Sequence, residues 1–216
     1  MANKSHTVLW MEKELEYRQR GAELIAGVDE AGCGPLAGPV VAAAVILPAV
    51  SFAQPDFLMG LQDSKKLSEK KRELLFDIIT SHCLYGIGIA TSAEIDALNI
   101  RQADYLAMQR AVLDLPFQPD VLLVDAWHLS SWNKKQEGIP QGDAKIRSIA
   151  AASIVAKVTR DRILLALDAM YPAYGFAQHK GYPTKAHYAA IHEHGICKEH
   201  RKSFLKSVLT ERNESS

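Results

Sequence analysis

The sequence has little cysteine: only three of its 216 residues are cysteines, and Cys33, Cys83 and Cys197 lie far apart. None of them forms a Cys-x-x-Cys pair, the spacing typical of zinc ribbons and dithiol redox sites. A disulfide framework would also need an even and denser set of cysteines. The sequence therefore predicts neither a zinc-binding module nor a disulfide-rich secreted domain.

Long apolar runs are also absent, since no stretch reaches the roughly 18 residues that a membrane-spanning helix needs. The first ten residues lack the apolar core of a signal peptide and lead into a charged segment. Hydrophobic residues make up 48% of the chain and charged residues 23%, as in an ordinary globular protein. We therefore expect a cytoplasmic protein without a membrane partner.

The chain has no net charge, because 25 Lys and Arg balance 25 Asp and Glu. Total charge therefore does not predict a nucleic-acid partner. The distribution is less even: from Lys157 onward there are ten Lys and Arg against six Asp and Glu, and five of the eight histidines lie there. This excess is a weak electrostatic footprint for a polyanion.

Hydrophobic patterning predicts short strands interspersed with helices. Apolar runs predict strands near 24–28, 40–47, 85–90 and 121–124, and periodicity predicts helices over 9–20, 99–113, 149–170, 184–194 and 202–209. Ser68 is expected to cap a further helix. The pattern indicates an α/β fold with a mixed sheet flanked by helices. We expect one domain over 1–216, with a core at about 22–170 and a helical C-terminal extension at about 171–210.

Acidic residues end two of the predicted strands. Asp29 and Glu30 follow the first strand, and Asp125 follows the fourth. Such a pair is most often a solvated turn, but ligands in open α/β sheets tend to bind just beyond strand ends. If the two strands are neighbours, the three carboxylates converge and need cations, for which Mg²⁺ or Mn²⁺ is suited. The glycine-rich stretch after Glu30 would let another molecule approach the backbone closely.

Six ordered segments carry a resemblance to a known family. They are Gly27-Val-Asp-Glu-Ala-Gly-Cys-Gly-Pro-Leu-Ala-Gly-Pro39, Asp63-Ser-Lys-Lys-Leu67, Val124-Asp-Ala126, Ala150-Ala-Ala-Ser-Ile-Val-Ala-Lys-Val-Thr-Arg-Asp161, Tyr174-Gly-Phe-Ala-Gln-His-Lys-Gly-Tyr-Pro-Thr184 and His200-Arg-Lys-Ser-Phe204. Together they cover roughly residues 22–206, and they resemble bacterial ribonuclease HII, the type 2 ribonuclease H. The resemblance implies a ribonuclease H-like fold and an endonuclease, which we expect to be a monomer. Its substrates would be RNA–DNA hybrids and duplex DNA with single embedded ribonucleotides, cut on the 5′ side to leave 3′-hydroxyl and 5′-phosphate ends.

The resemblance also implies which residues carry the chemistry. Its four metal-binding, catalytic acids map onto Asp29, Glu30, Asp125 and a fourth acid before the alanine-rich helix, Asp143. Asp161 is the competing candidate, but it lies four residues after Lys157, where a helical ion pair is the simpler interpretation. The cofactor would be Mn²⁺ or Mg²⁺.

Substrate contacts are implied in the same way. The backbone of Gly32, Cys33 and Gly34 would sense the ribose 2′-hydroxyl, which both donates and accepts hydrogen bonds. Tyr182 would pack on the neighbouring sugar, and Lys65 would contact phosphate. The family usually has arginine where this chain has Cys33, and we expect near-normal selectivity with weaker substrate binding.

The other candidates are less specific. We expect the C-terminal histidines to be surface or phosphate-proximal groups, and Tyr174 and Phe176 to pack against helices. Two alternatives remain: a related carboxylate nuclease, such as a type 3 ribonuclease H or a resolvase, and a catalytically silent hybrid-binding module. The type 3 enzyme is disfavoured because the segment before the first strand is too short for its extra N-terminal domain, and the silent module because all four acid positions are filled.

Overall fold

A computed structural model describes residues 11–54, 57–58, 60–61, 67–126, 128–130 and 132–205. The strands are β1 (Ile25–Ala31), β2 (Val40–Ile46), β3 (Leu84–Ala90), β4 (Val121–Asp125) and β5 (Lys135–Ile139). The α-helices are α1 (Glu12–Gln19), α2 (Val50–Ala53), α3 (Glu69–His82), α4 (Ser92–Leu98), α5 (Ile100–Leu113), α6 (Arg147–Met170), α7 (Phe176–His179) and α8 (Lys185–His194). Short 3₁₀ turns cover Gly142–Ala144, Pro172–Tyr174 and Lys202–Phe204.

The five strands form one mixed sheet in the order β3-β2-β1-β4-β5. The first three pair antiparallel, whereas β4 runs parallel to both β1 and β5. Helices lie on both faces of this sheet, and the C-terminal part is helical. The predicted α/β class and mixed sheet are therefore confirmed.

Two local predictions were wrong. Strand β5 was not expected, because its sequence, Lys-Gln-Glu-Gly-Ile, has no apolar alternation and only Ile139 is buried. It is an edge strand, for which burial gives little sequence signal. Where an α-helix was expected over 202–209, the described residues 202–205 form the 3₁₀ turn Lys202–Phe204 followed by Leu205; residues 206–209 lie outside the described part.

Helix α5 packs closely on one face of the sheet. Its Ala103, Ala107 and Met108 are fully buried against small and branched side chains of β1 and β2. Strand β3 carries Gly88 beneath it, where a Cβ atom would overlap the backbone of Ala107. Glycine at this position is therefore required by the close approach of the helix.

Helix α6 covers the opposite face. Its fully buried Ile149 and Ile154 pack with residues of the sheet and of α3. Gly27 of β1 lies directly below the first turn, since a Cβ atom there would overlap the backbone of Ser148 and Ile149. This contact fixes the start of α6 beside the carboxyl end of β1, where the acids lie.

The cap predicted for α3 is present, because the Ser68 hydroxyl accepts a hydrogen bond from the backbone N–H of Lys71 at 3.4 Å.

Within the described residues, none of the helices has both the length and the apolar character needed to cross a bilayer.

Candidate active site

Two adjacent parallel strands bring three acids together. Val28 of β1 is paired with Val124 of β4, so Asp29 and Asp125 follow at neighbouring positions. Glu30 is the next residue of β1. One carboxylate oxygen from each of these three acids lies within 4.8 Å of the others. The convergence expected from the strand ends is therefore present in the structure.

Burial makes this group electrostatically demanding. Asp29 is only 4% exposed. Burial raises its pKa well above the usual value, and the nearby charges of Glu30 and Asp125 raise the pKa further. Hydrogen bonds from the Ser153 side chain and from the Glu30 backbone N–H, at 2.8 Å to Oδ1, oppose these effects. Because close carboxylates repel one another and all the donors are oxygens, the group fits a hard divalent cation such as Mg²⁺ or Mn²⁺.

Asp143 lies in the 3₁₀ turn Gly142–Ala144, immediately before α6, and is 6% exposed. The turn is attached to the end of β4, since the backbone N–H of Gly142 donates to Oδ1 of Asp125 at 2.6 Å. The oxygens that lie within 4.8 Å of one another do not include one from Asp143. The structure thus places this acid next to the three-acid group but not within it.

The competing acid, Asp161, is engaged elsewhere. Its Oδ1 is 2.7 Å from Nζ of Lys157, one helical turn earlier in α6. The ion pair predicted from the i,i+4 spacing is therefore confirmed. Asp143 therefore stays the predicted fourth acid.

The glycine-rich loop after β1 is held by Arg201, which is fully buried. Its guanidinium donates to the carbonyl oxygens of Gly32 at 2.6 Å, Cys33 at 3.1 Å and Gly38 at 2.8 Å. Gly32 has φ +103°, a conformation that residues other than glycine rarely adopt. The loop conformation therefore depends on a side chain from the C-terminal segment.

A second buried cation, Arg160 of α6, holds the other half of the same loop. It donates to the carbonyl oxygens of Pro39 at 3.0 Å and Ala37 at 3.2 Å, and to that of Lys180 at 3.0 Å. Sequence reasoning gave neither arginine a role. Both arginines lie in segments that resemble the family, so the sequence did contain a signal for them. An arginine by itself does not reveal, however, that backbone carbonyls surround it in the fold.

Tyr182 lies beside the glycine loop. Its Cε1 atom is 3.9 Å from where a Cβ on Gly34 would lie, and the residue is 44% exposed. The structure therefore brings together Tyr182, Gly34 and the Cys33 backbone, with the tyrosine ring accessible. Lys65, the expected phosphate contact, lies outside the described residues.

The expectation for the histidines was wrong for two of the five. His187 and His200 are buried, with their Nε2 atoms 3.1 Å apart, and His200 Nδ1 is 3.2 Å from Sγ of Cys197. Burial, followed by the neighbouring His187, lowers the pKa of His200 to about 4. These rings are therefore neutral packing groups, joined by Tyr174 and Phe176, which stack at 5.4 Å between centroids and pack as expected.

Asp104 of α5 was missed by sequence reasoning. It is 7% exposed, and one of its carboxylate oxygens lies within 4.8 Å of ligand atoms from Glu30 and Cys33. Burial raises its pKa to about 8, with Glu30 and Asp125 adding to the effect. The sequence pattern that indicated the other acids, an acid at the end of a strand, does not apply to Asp104, because it lies on the buried face of a helix.

Comparisons with known proteins point to one family. The sequence model of the family described as Ribonuclease HII matches residues 26–207. Ribonuclease HII of Acetivibrio thermocellus is 55% identical over 197 residues, covering 91% of this chain and 75% of that protein. Ribonuclease HII of Shewanella putrefaciens is 58% identical over 194 residues, covering 86% of this chain and 90% of that protein.

A solved structure shows the same fold. The crystal structure of ribonuclease H2 from Pyrococcus horikoshii OT3 superposes with a TM-score of 0.70 at 26% identity, covering 84% of this chain and 93% of that one. The sequence match extends from the β1 acids through Arg201. The chain belongs to the ribonuclease HII family.

Proposed function

We propose that Asp29, Glu30, Asp125 and Asp143 form the divalent-metal centre of this ribonuclease. Endonucleolytic cleavage of the RNA strand in RNA–DNA hybrids is the activity of the family to which the chain belongs. The observation that carries the assignment is the set of three carboxylate oxygens within 4.8 Å of one another at the ends of β1 and β4. A group this crowded and this buried is suited to hold cations.

Two divalent ions, when bound, activate a water nucleophile and stabilise the leaving 3′-oxygen of a phosphodiester. The residues of the chain hold and orient the site. Asp29 is fixed by burial and by its contact with the Glu30 backbone N–H, and Asp125 is fixed by the N–H of Gly142. Oxygen ligands of this kind suit either Mg²⁺ or Mn²⁺. Hydrolysis with the 3′-oxygen as the leaving group gives 3′-hydroxyl and 5′-phosphate ends.

The glycine loop and Tyr182 would select ribose. Arg201 orients the carbonyls of Gly32 and Cys33, each of which has a second lone pair for another donor, such as the 2′-hydroxyl. The exposed ring of Tyr182 beside Gly34 offers a surface for the next sugar. We propose that the chain thereby incises on the 5′ side of a single ribonucleotide in duplex DNA, as its resemblance to the family implies. We place the core at about 22–170 and this recognition part at about 171–210 of one domain.

The direct test is incision of a labelled duplex that carries one ribonucleotide. We expect cleavage on its 5′ side with Mg²⁺ or Mn²⁺ and none after chelation. Asp125→Asn keeps the size of the side chain and removes its charge, so kcat should fall by about 10³-fold. An all-DNA duplex and an RNA–DNA hybrid serve as the negative and positive substrate controls.

Two results would contradict the proposal. Cleavage that persists after chelation would exclude a metal centre, and full activity of Asp125→Asn would exclude these acids. Circular dichroism and metal-free thermal unfolding of the variant establish that the loss of activity is not a loss of fold.

A further inference from the structure

A second group of possible ligands lies beside the catalytic acids. Glu30, Cys33 and Asp104 each contribute one ligand atom, and the three atoms lie within 4.8 Å of one another. The Cys33 thiol contacts Oε1 of Glu30 at 3.9 Å. Glu30 and Cys33 are half-buried, so the group can be reached from solvent, whereas Asp104 forms its floor.

Asp104 provides a separate indication that a ligand binds at this group. The residue is 7% exposed, and its Oδ1 atom is buried without a hydrogen bond from any described residue. A buried carboxylate oxygen without a donor is costly, so native proteins rarely leave one unless a cation or proton completes it. The neighbouring residues of α5, Ala103, Ala107 and Met108, are apolar and offer no such compensation.

The donor set differs from that of the catalytic centre. Asp29, Glu30 and Asp125 offer only oxygen, whereas this group adds the sulfur of Cys33. Thiolate sulfur favours Zn²⁺ and its softer analogue Cd²⁺ over Mg²⁺ or Mn²⁺. Three protein ligands with a fourth position left open is also an arrangement that protein-bound Zn²⁺ adopts.

We propose that Glu30, Cys33 and Asp104 form a zinc-binding site that shares Glu30 with the catalytic centre. On binding, the Cys33 thiol and the Asp104 carboxyl release their protons to the buffer, a sulfur–zinc bond forms, and the Asp104 oxygen gains the partner it lacks. Zn²⁺ held there withdraws Glu30 from the catalytic ions, so it inhibits hydrolysis. This consequence, unlike the binding itself, rests on the proposed role of Glu30 in catalysis.

Titration with Cd²⁺ tests the site without reference to activity, because a cadmium–thiolate bond absorbs in the ultraviolet. We expect one equivalent of Cd²⁺ to produce this charge-transfer band in the wild type and none in Cys33→Ser. Asp104→Asn should weaken binding by about tenfold or more, since even the loss of partners outside the ligand shell costs that much. Cys197→Ser is the matched control, because Cys197 is also a half-buried thiol beside a polar side chain, with its Sγ 3.2 Å from Nδ1 of His200, and it should keep the band.

A band that persists in Cys33→Ser, or that disappears in Cys197→Ser, would overturn the assignment of the sulfur. Unchanged affinity in Asp104→Asn would overturn the role of that carboxylate, and the absence of binding in the wild type would overturn the site. Near-UV circular dichroism of each variant shows that the fold is retained.

Inhibition is measured as the ratio of the hydrolysis rates with and without Zn²⁺, taken separately for the wild type and for each variant. Hydrolysis in Mn²⁺ is measured with and without added Zn²⁺, and the zinc concentration that halves the rate should rise at least about tenfold in Cys33→Ser. Equal zinc sensitivity in the two proteins would overturn the inhibitory site. A wild type inactive in Mn²⁺ would instead contradict the proposed function and leave the cadmium result standing.

Discussion

Asp125 and Gly142 are joined by a hydrogen bond of 2.6 Å, from the glycine backbone N–H to Oδ1 of the acid. The bond ties the end of β4 to the turn that precedes α6. It therefore has two effects: it fixes one oxygen of Asp125, and it places Asp143, the next residue of the turn, beside the other acids. Asp143, the proposed fourth acid, depends on this link because it lies in a turn and not at the end of β1 or β4.

Asp143→Asn tests that placement. We expect kcat on a single-ribonucleotide duplex to fall by about 10²- to 10³-fold, because a metal-binding charge is lost while side-chain size is kept. Asp161→Asn is the matched control, since it removes only an ion pair with Lys157. It should retain activity within a few-fold, and a reversal of the two results would identify Asp161 as the fourth ligand.

Arg201→Lys tests the clamp on the glycine loop. Lysine cannot reproduce the planar guanidinium, so at least one of the carbonyls of Gly32, Cys33 and Gly38 loses its donor. The free energy of unfolding should fall by about 2–4 kcal/mol in urea titrations, and KM should rise.

The control for this clamp is Arg162→Lys, which changes an exposed arginine paired with Glu73. Surface ion pairs contribute about 0–1 kcal/mol, so its stability should barely change. Equal stability of the two variants would show that the Arg201 hydrogen bonds do not hold the loop.

Tyr182→Ala tests ribose recognition by an exposed side chain. The discrimination between a duplex with one ribonucleotide and an all-DNA duplex should decrease, while thermal stability stays near that of the wild type. Tyr188→Ala removes a tyrosine of similar exposure, 41% against 44%, from the nearby helix α8. Its kinetics should match the wild type; equal kinetic effects of the two changes would remove the specific role of Tyr182.

Cys33→Arg tests the weaker substrate binding expected of this chain. Arginine would add a long cation near the substrate phosphates, so KM should decrease while the preference for ribose, which depends on backbone groups, stays the same. Steady-state kinetics over a range of salt concentrations would show the added charge, since phosphate contacts weaken with salt. An unchanged KM would disprove the expected deficit in binding.

The pair His187 and His200 predicts how stability depends on pH. The pKa of His200 falls from 6.5 to about 4 in the folded state, first through burial and then through His187. The unfolded chain therefore takes up a proton at a higher pH than the folded chain. His200 therefore lowers the free energy of unfolding as the pH falls from 6.5 towards 4, by about 3 kcal/mol in total, and has no such effect above pH 6.5.

Urea unfolding across this pH range, in the presence of a chelator, measures the effect. His200→Gln should show a smaller loss of stability on acidification than the wild type. His192→Gln, which changes an exposed histidine of α8, should keep the wild-type slope. A wild-type slope in His200→Gln would show that other groups control the acid response.

The sequence predicted those parts of the site that local patterns reveal. Asp29, Glu30 and Asp125 were identifiable because acids follow two of the predicted strands, and their convergence needed only that β1 and β4 be neighbours. Strand β5 was not predicted, because an edge strand needs few apolar residues.

The buried charges could not be predicted in the same way. Arg160, Arg201 and Asp104 belong to residue types that are normally exposed. Their burial depends on partners far away in the chain: Arg160 donates to Pro39, 121 positions earlier, and His187 contacts His200 across 13 positions. No window of sequence contains both members of the first pair, so only the fold shows the interaction.

The clamp between Arg201 and Gly32 spans 169 positions, and this separation sets an order of events during synthesis. The acids of β1 leave the ribosome early, and the guanidinium that shapes the adjoining loop is among the later residues to emerge. A nascent chain therefore carries the β1 carboxylates well before Arg201 can hold the loop that we propose to contact ribose. This loop takes its folded conformation late in synthesis, when the C-terminal segment reaches back to the first strand.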